Sequence, residues 1–336
     1  MCTYLIILFQ VNTELSGYKS VLVRMMRYLD GTDYHKDHEF STDRLKLLTP
    51  TDLMRWMNHE IFGTETPSLD QVPTTRSNTI YYWKKALSYF MVNRLMTWNS
   101  ISCCGNATKC DEINDLIKRV KKAEVRKLGV PSQARRPFDG DDYVKIVSFL
   151  KEAGRGGRGI IWEFGVPAQM AYQFHFMARA DDTMNVRIDN IDIHPQFDFC
   201  LKSKLEWSKN VAEERDAPWQ IMLGCNNSLY CVIINLALWL ECMFFKFNYA
   251  YHTPYLFAFA SNTDIPAGGV ANKACLNNIL GNKVLKDEIL FNKSDQCALG
   301  THSLRKYSST RARRCGATKD EKDIRGRWKK RITGIR

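Results

Sequence analysis

A histidine and an arginine stand three residues apart in THSLRK, His302 and Arg305, at the head of a basic C-terminal stretch. On a helix that spacing puts both on one face. Three more residues of matching chemistry lie elsewhere. Arg179 closes the apolar segment FHFMAR and is followed by Asp181 and Asp182, Lys209 lies in WSKN, and Trp328 lies in RGRWKKR. Such residues suit a phosphodiester handled without a metal. Planar guanidinium forks hold the two non-bridging oxygens as they gain charge. A Lys or His supplies the proton to the departing oxygen, and a nucleophile attacks in line. Each residue alone has a plainer explanation: an ion-pair partner for Arg179, a surface lysine for Lys209, a solvated turn for His302 and Arg305, a core aromatic for Trp328. Their order along the chain is more specific than any one of them.

The charge distribution points to a polyanionic partner. The chain of 336 residues carries a net charge of +12. Residues 301–336 hold thirteen Lys or Arg against Asp320, Glu321 and Asp323, and residues 117–136 hold eight against Glu124 alone. The rest of the chain is mildly acidic. Two concentrated basic segments fit nucleic acid better than a diffuse solubilising excess would.

Other classes are disfavoured. The eleven cysteines include no CxxC pair and no histidine at zinc spacing, which predicts reduced, mostly buried thiols and no metal. The start, MCTYLIILFQ, lacks the basic lead and small-residue cleavage site of a signal peptide. The longest apolar run, LYCVIINLALWLECMFF at 229–245, is interrupted by Asn235 and Glu241 and is short for a membrane span. It reads as a buried helix, and no membrane association is expected.

The elements that must position these residues can be traced from the N-terminus. TPTDLMRWMNHEIFG predicts a helix with Thr49 as N-cap, Pro50 in the first turn, Leu53, Met54, Met57 and Ile61 on one face, and Gly63 at its end. SNTIYYWKKALSYFM predicts a second, with Ile80, Trp83, Leu87 and Phe90 inward. DEINDLIKRVKKAEVRKLGVP predicts a third, with Ile113, Leu116, Ile117 and Val120 inward and Gly129 and Pro131 as its stop. After SQARRPFDG the pattern changes. A helix over about 141–153 uses Val144, Val147, Phe149 and Leu150, and GRGGRG at 154–159 reads as a flexible basic loop, since a helix and not a strand precedes it. A short helix over 166–182 leads to three strand-like stretches, VRIDNIDIHP, FDFCLKSKLEWSK and APWQIMLG, and helices return from 226. The expected fold is mostly α with a small antiparallel sheet.

At this point the sequence resembles the tyrosine recombinases, and most closely those of Crypton-type transposable elements. The family order is Arg, a Lys in a β-hairpin, HxxR, His or Trp, then a nucleophilic Tyr. The matching stretches are Arg179 in ARADD, Lys209 in WSKNVAEERDAP, His302 and Arg305 in THSLRK, and Trp328 in RGRWK. RSNTIYYWKKALSYFMVNRLMTWN and NDLIKRVKKAEVRKLGVPSQARRP are similar to the family's core-binding domain. The resemblance spans roughly residues 40–336.

It implies an N-terminal segment at 1–40, a helical, SAM-like core-binding domain at 41–131, a basic linker at 132–140 and an α+β catalytic domain at 141–336, incomplete at its C-terminus. It implies DNA recombination or integration through a covalent phosphotyrosyl link, with no cofactor. Arg179 and Arg305 would hold the phosphate, His302 would assist proton transfer, Lys209 would protonate the leaving oxygen, and Trp328 would bond through its indole. Asp182 would support Arg179. Double-stranded DNA would be held mainly through phosphates, by Lys84, Lys85, Lys118, Arg119, Lys121, Lys122, Arg126, Arg135 and Arg136. A homo-oligomer on DNA fits the same family, and a nuclear location follows if the cell is nucleated.

The pattern breaks at the nucleophile. The family spacing places it just past Arg336, and no Tyr follows Tyr307. Tyr307 is too close to Arg305 to share its face and is expected to pack. A shortened reading frame, a decayed element copy and a retained DNA-binding protein all fit. The sequence as written is expected to bind DNA without cutting it. The competing reading is a non-catalytic chromatin or transcription factor derived from a mobile element. RNA binding ranks lower, since no aromatic RNA-recognition signature is present.

Overall fold

The computed structural model describes residues 2–132, 134–197, 200–208, 211, 217–246, 253–259 and 273–328, with side chains from residue 15 onward. The chain divides into two compact units, Met1–Ser132 and Gln133–Arg336.

The first unit is helical: α1 (Cys2–Asp30), α2 (Thr42–Lys46), α3 (Pro50–Phe62), α4 (Ser77–Phe90) and α5 (Asp111–Val125). Tyr18, Val21, Leu22, Met25 and Met26 recur at helical spacing on α1 and join Trp56, Met57, Ile80, Trp83, Leu87, Ile113 and Ile117 in one core. The N-terminal segment therefore contributes its second half to that core. Helix α3 starts with a capping box: Asp52 N–H donates to Thr49 Oγ1, and Thr49 N–H donates to the Asp52 carboxylate. Gly63 ends it at φ 75°. Phe90 packs only partly against the core, whereas Ile80, Trp83 and Leu87 are buried. Helix α5 stops at Val125, four residues before the expected Gly129. Lys127 takes the left-handed conformation (φ 59°), and Leu128 N–H donates to Ala123 O at 2.9 Å, closing the turn without a glycine. Gly129 (φ 83°) serves a close approach instead: a Cβ there would lie 2.6 Å from Pro73 O.

The second unit is built around α7 (Val166–His175), in which every residue from Val166 to Gln173 is buried. Helices α6 (Gly140–Ala153), α9 (Val232–Glu241) and α12 (Ser303–Arg314) pack on it. Such a helix is hydrophobic nearly all round, and its two buried glutamines bond to each other, with Gln169 Oε1 left without a hydrogen bond. Gln169 Nε2 donates to Gln173 Oε1 at 3.0 Å and to Thr183 Oγ1 at 2.6 Å. On α6 the buried face is Tyr143, Ile146, Val147 and Leu150, while Val144 and Phe149 are half-buried.

GRGGRG forms a compact wide turn and not an open loop. Residues 154–158 continue α6 as a π turn, Gly157 (φ 106°) and Gly159 (φ 88°) supply the reversal, and Arg155 pairs with Glu163 at 3.1 Å. Three short strands follow, β1 (Ile191–Ile193), β2 (Leu201–Ser203) and β3 (Gln220–Met222), antiparallel in the order β1-β2-β3. Ser203 anchors the sheet to α7, lying 2.6 Å from the Tyr172 hydroxyl while donating to Asn190 O. The apolar run at 229–245 yields α9, whose Val232, Leu236 and Trp239 are buried. Among the described residues no helix is long and apolar enough to cross a membrane.

Helix α10 (Lys273–Leu276) continues into a π turn, and α11 (Lys293–Ala298) and α13 (Lys319–Arg325) flank α12 in sequence. The cysteines depart from expectation. Cys110, Cys231 and Cys275 are buried thiols, but Cys103, Cys104, Cys225, Cys297 and Cys315 are exposed, because they sit on turns and helix ends that no core covers.

Candidate functional site

The expected single helix over 166–182 is broken, and the break positions the first arginine. Helix α7 ends at His175, Met177 turns the chain with φ 47°, and Arg179 becomes the extended residue before α8 (Ala180–Met184). Arg179 thus precedes a helix and does not close one. Asp182, three residues on, accepts the Arg179 backbone N–H at 3.1 Å. This local tie leaves the carboxylate buried, at 2% exposure.

Three guanidinium groups converge on that carboxylate. Arg305 Nη1 lies 3.6 Å from Asp182 Oδ2, Arg327 Nη2 3.7 Å and Arg179 Nη1 4.0 Å. Arg305 and Arg327 are 4% and 7% exposed. Arg305 Nη2 donates to Gly326 O at 3.0 Å, and its guanidinium lies 5.3 Å from the Trp328 ring centroid. The Nη1 atoms of Arg179 and Arg305 are buried and make no hydrogen bond. Three positive groups against one negative group leave an uncompensated charge in a desolvated place. Burial, then the neighbouring Arg179, with Arg327 adding and Asp182 opposing, pull the Arg305 pKa down to about 10. Arg305 still carries its charge at neutral pH, at a cost that a bound anion would relieve.

Arg179 and Arg305 line a cavity of about 450 Å³ together with Pro137, His302, Lys306, Ser309, Thr310 and Trp328. His302 stands at the start of α12. Desolvation and the cations Arg305, Lys306 and Arg179 lower its pKa below 6.5, with Asp182 opposing. At neutral pH the imidazole is neutral, with one nitrogen donating and the other accepting. The structure therefore brings Arg179, Asp182, His302, Arg305 and Trp328 together. Lys209 lies outside the described residues.

Two further residues matter. Tyr307 packs: it is 5% exposed, lies against Phe174, and its hydroxyl is 3.1 Å from that of Tyr230 and accepts from Arg311 Nη1 at 3.4 Å. Arg327 was not singled out by the sequence. Its neighbour Trp328 was the only pointer, because nothing in RGRWK distinguishes a buried arginine from a solvated one.

No protein-family model matches the chain, and no curated protein does. Among solved structures, a crystal structure of XerA recombinase is similar. It is 13% identical, with a TM-score of 0.34, over 91% of this chain and 88% of that one. A likeness of that size assigns no function, so the reading below rests on the residues.

The expected phosphate-binding surface divides into engaged and open cations. In the first unit, Lys84 Nζ donates to Asn114 Oδ1 at 2.6 Å, Lys118 pairs with Asp115 at 2.8 Å, and Arg119 stacks on Phe62 and donates to Ser68 O. Lys85 and Lys121 sit over the rings of Tyr18 and Tyr81. Lys122 on α5 and Arg126 just past its end are exposed. In the second unit Arg135 is exposed and donates to Cys297 O. Arg136 is held by two carboxylates, Asp142 at 2.6 Å and Asp295 at 2.8 Å. Its fork bridges the start of α6 to α11, which leaves it the least available of the set for phosphate.

Proposed function

We propose that this chain is a DNA-binding protein of the tyrosine recombinase type, with a backbone phosphate seated in the Arg179–Arg305 cavity. The observation that carries this reading is the cluster of three guanidinium groups around the one buried Asp182 carboxylate. A phosphodiester carries a fixed negative charge and two non-bridging oxygens that suit paired forks. Arg179 and Arg305 hold those oxygens. Neutral His302 can pass a proton at the phosphate, and the Trp328 indole N–H can donate to it. Lys209 is assigned the leaving oxygen by its place in the motif order alone. The exposed basic row on α5 supplies sequence-independent affinity for duplex DNA. A Crypton-type mobile element as the source, and a nuclear location, complete the proposal.

Strand cleavage needs a hydroxyl free to attack in line. Tyr307 is buried and hydrogen-bonded, and burial raises the pKa of its partner Tyr230. This speaks against Tyr307 as the nucleophile; the second reading is a mobile-element-derived DNA-binding factor. The test incubates the chain with nicked and intact duplex DNA, then denatures the mixture. Duplex binding without a covalent protein–DNA species is expected. A covalent adduct lost on Arg305→Ala would establish a complete active site and overturn the non-cleaving reading. Absence of duplex binding at low salt would overturn the proposal itself.

A further inference from the structure

We propose that Arg327 is a positioning residue that offsets Asp182, leaving the two cavity arginines with charge to spare for an anion. This rests on the phosphate-binding reading above. Asp182 is needed locally, because it accepts the Arg179 backbone N–H and so fixes the start of α8. Its charge, however, works against anion binding. With only Arg179 and Arg305 beside it, the cluster would hold one net positive charge. The carboxylate would also be free to close on Arg305 Nη1, which lacks a hydrogen-bond partner. Arg327 competes for the same oxygen, Asp182 Oδ2, at 3.7 Å. All three guanidinium groups pair with this one oxygen, their nitrogens 3.6 to 4.0 Å from it. Shared among three guanidinium groups, the one carboxylate offsets a single positive charge and leaves two.

The backbone around Arg327 fits this role. It adopts φ 51°, a left-handed conformation that glycine takes freely and a longer side chain takes only with strain. The turn is anchored on both sides. Arg325 donates to His175 O at 3.1 Å and to Ile221 O at 3.0 Å, and its guanidinium lies 4.5 Å from the Phe176 ring centroid. Gly326 O accepts from Arg305 Nη2. One turn, 325–328, thus delivers Arg327 to Asp182, a carbonyl to Arg305 and the Trp328 ring to the cavity wall.

The φ value supplies a discriminating variant, because Arg327→Gly removes the charge while relaxing the backbone. Binding of a fluorescently labelled duplex oligonucleotide is read by anisotropy at constant ionic strength, with thermal melting as the folding control. Arg327→Gly is expected to bind about tenfold more weakly, the scale of one charge-assisted contact, with little change in melting. Arg327→Lys keeps the charge and is expected to retain most of the affinity. The double variant Arg327→Gly with Asp182→Asn restores the local charge balance and is expected to recover to within about threefold of the wild type. Wild-type affinity in Arg327→Gly, Arg327→Lys as weak as Arg327→Gly, or no recovery in the double variant would each overturn the role given to Arg327. Arg305→Ala in the same assay separates the two ideas. If it weakens binding while Arg327→Gly does not, only the Arg327 role falls. If Arg305→Ala binds like the wild type, the cavity does not take phosphate and both fall.

Discussion

Helix α5 and the Asp182 cluster hold positive charge in opposite ways. On α5 the cations stand in water on the face opposite Ile113, Leu116, Ile117 and Val120. Some are occupied by local partners, as Lys118 is by Asp115, and others, such as Lys122 and Arg126, are open. Their field is screened within about 10 Å at moderate salt, and their flexible stems fix no geometry. Around Asp182 the cations are largely buried, aimed by backbone contacts and short of counter-charge. On the proposed reading, the first arrangement would collect polyanions without choosing an atom, and the second would hold one phosphate in one orientation.

The largest effect should come from the buried arrangement. Arg305→Ala removes a charged fork and the contact to Gly326 O, and should cost about 2–3 kcal/mol of duplex binding. In anisotropy titrations over a range of salt it should lower the slope by no more than about one, the single phosphate it holds. An Arg305→Ala variant that lost slope but little affinity would erase the distinction between the two regions.

A smaller loss of affinity, but the larger change in slope, is expected from Lys118→Ala, Lys122→Ala and Arg126→Ala combined. The slope of log affinity against log salt should fall by about two to three, with affinity reduced by about 1–2 kcal/mol on any duplex. The same titrations test it, and unequal losses across unrelated sequences would assign base reading to α5.

His302 gives a pH-dependent effect confined to the cavity. In the free protein its pKa lies below 6.5, so the neutral form is favoured. A bound phosphate favours the imidazolium and raises that pKa, so binding takes up a proton. Lowering the pH from about 7.5 to about 6 should therefore strengthen duplex binding by about threefold, and His302→Gln should flatten the response. The sign reverses for stability. A depressed folded-state pKa contributes stability that is present above the unfolded pKa and lost as the pH falls through the folded value. Anisotropy over this range should show the binding slope and melting of the free protein the stability slope, and His302→Gln should weaken both.

The smallest effect tests whether the first unit matters only as a scaffold for its charges. Thr49→Ala removes the α3 cap and should lower unfolding stability by about 1 kcal/mol. The α5 surface stays intact, so anisotropy at a temperature well below melting should be unchanged.

What could be read in advance followed from local rules. The α3 cap, the inward stripes of α4 and α5, the three strand-like stretches and the HxxR spacing each depend on residues a few positions apart. Where a local rule competed with distant packing, the reading slipped. Helix 166–182 broke at Met177, which takes a left-handed φ that no glycine or proline there announces. Helix α5 ended at Val125, with Lys127 turning the chain, for the same kind of reason. Arg136 resembled its neighbour Arg135, but Asp295, far along the chain, occupies it. Glu124, the lone acid in the basic segment, accepts the Ser77 N–H at 2.7 Å at the start of α4.

The sequence by itself determined a mostly helical chain with a small antiparallel sheet, two basic segments and an ordered set of phosphate-compatible side chains. Only the tertiary structure decided that Arg179, His302, Arg305 and Trp328 share one cavity, that Arg327 joins them, and that Asp182 faces three guanidinium groups. Burial and charge compensation are properties of what surrounds a side chain in space. Arg305 and Arg313 look alike in the sequence, yet one is buried with its pKa pulled down to about 10 and the other is exposed on the same helix.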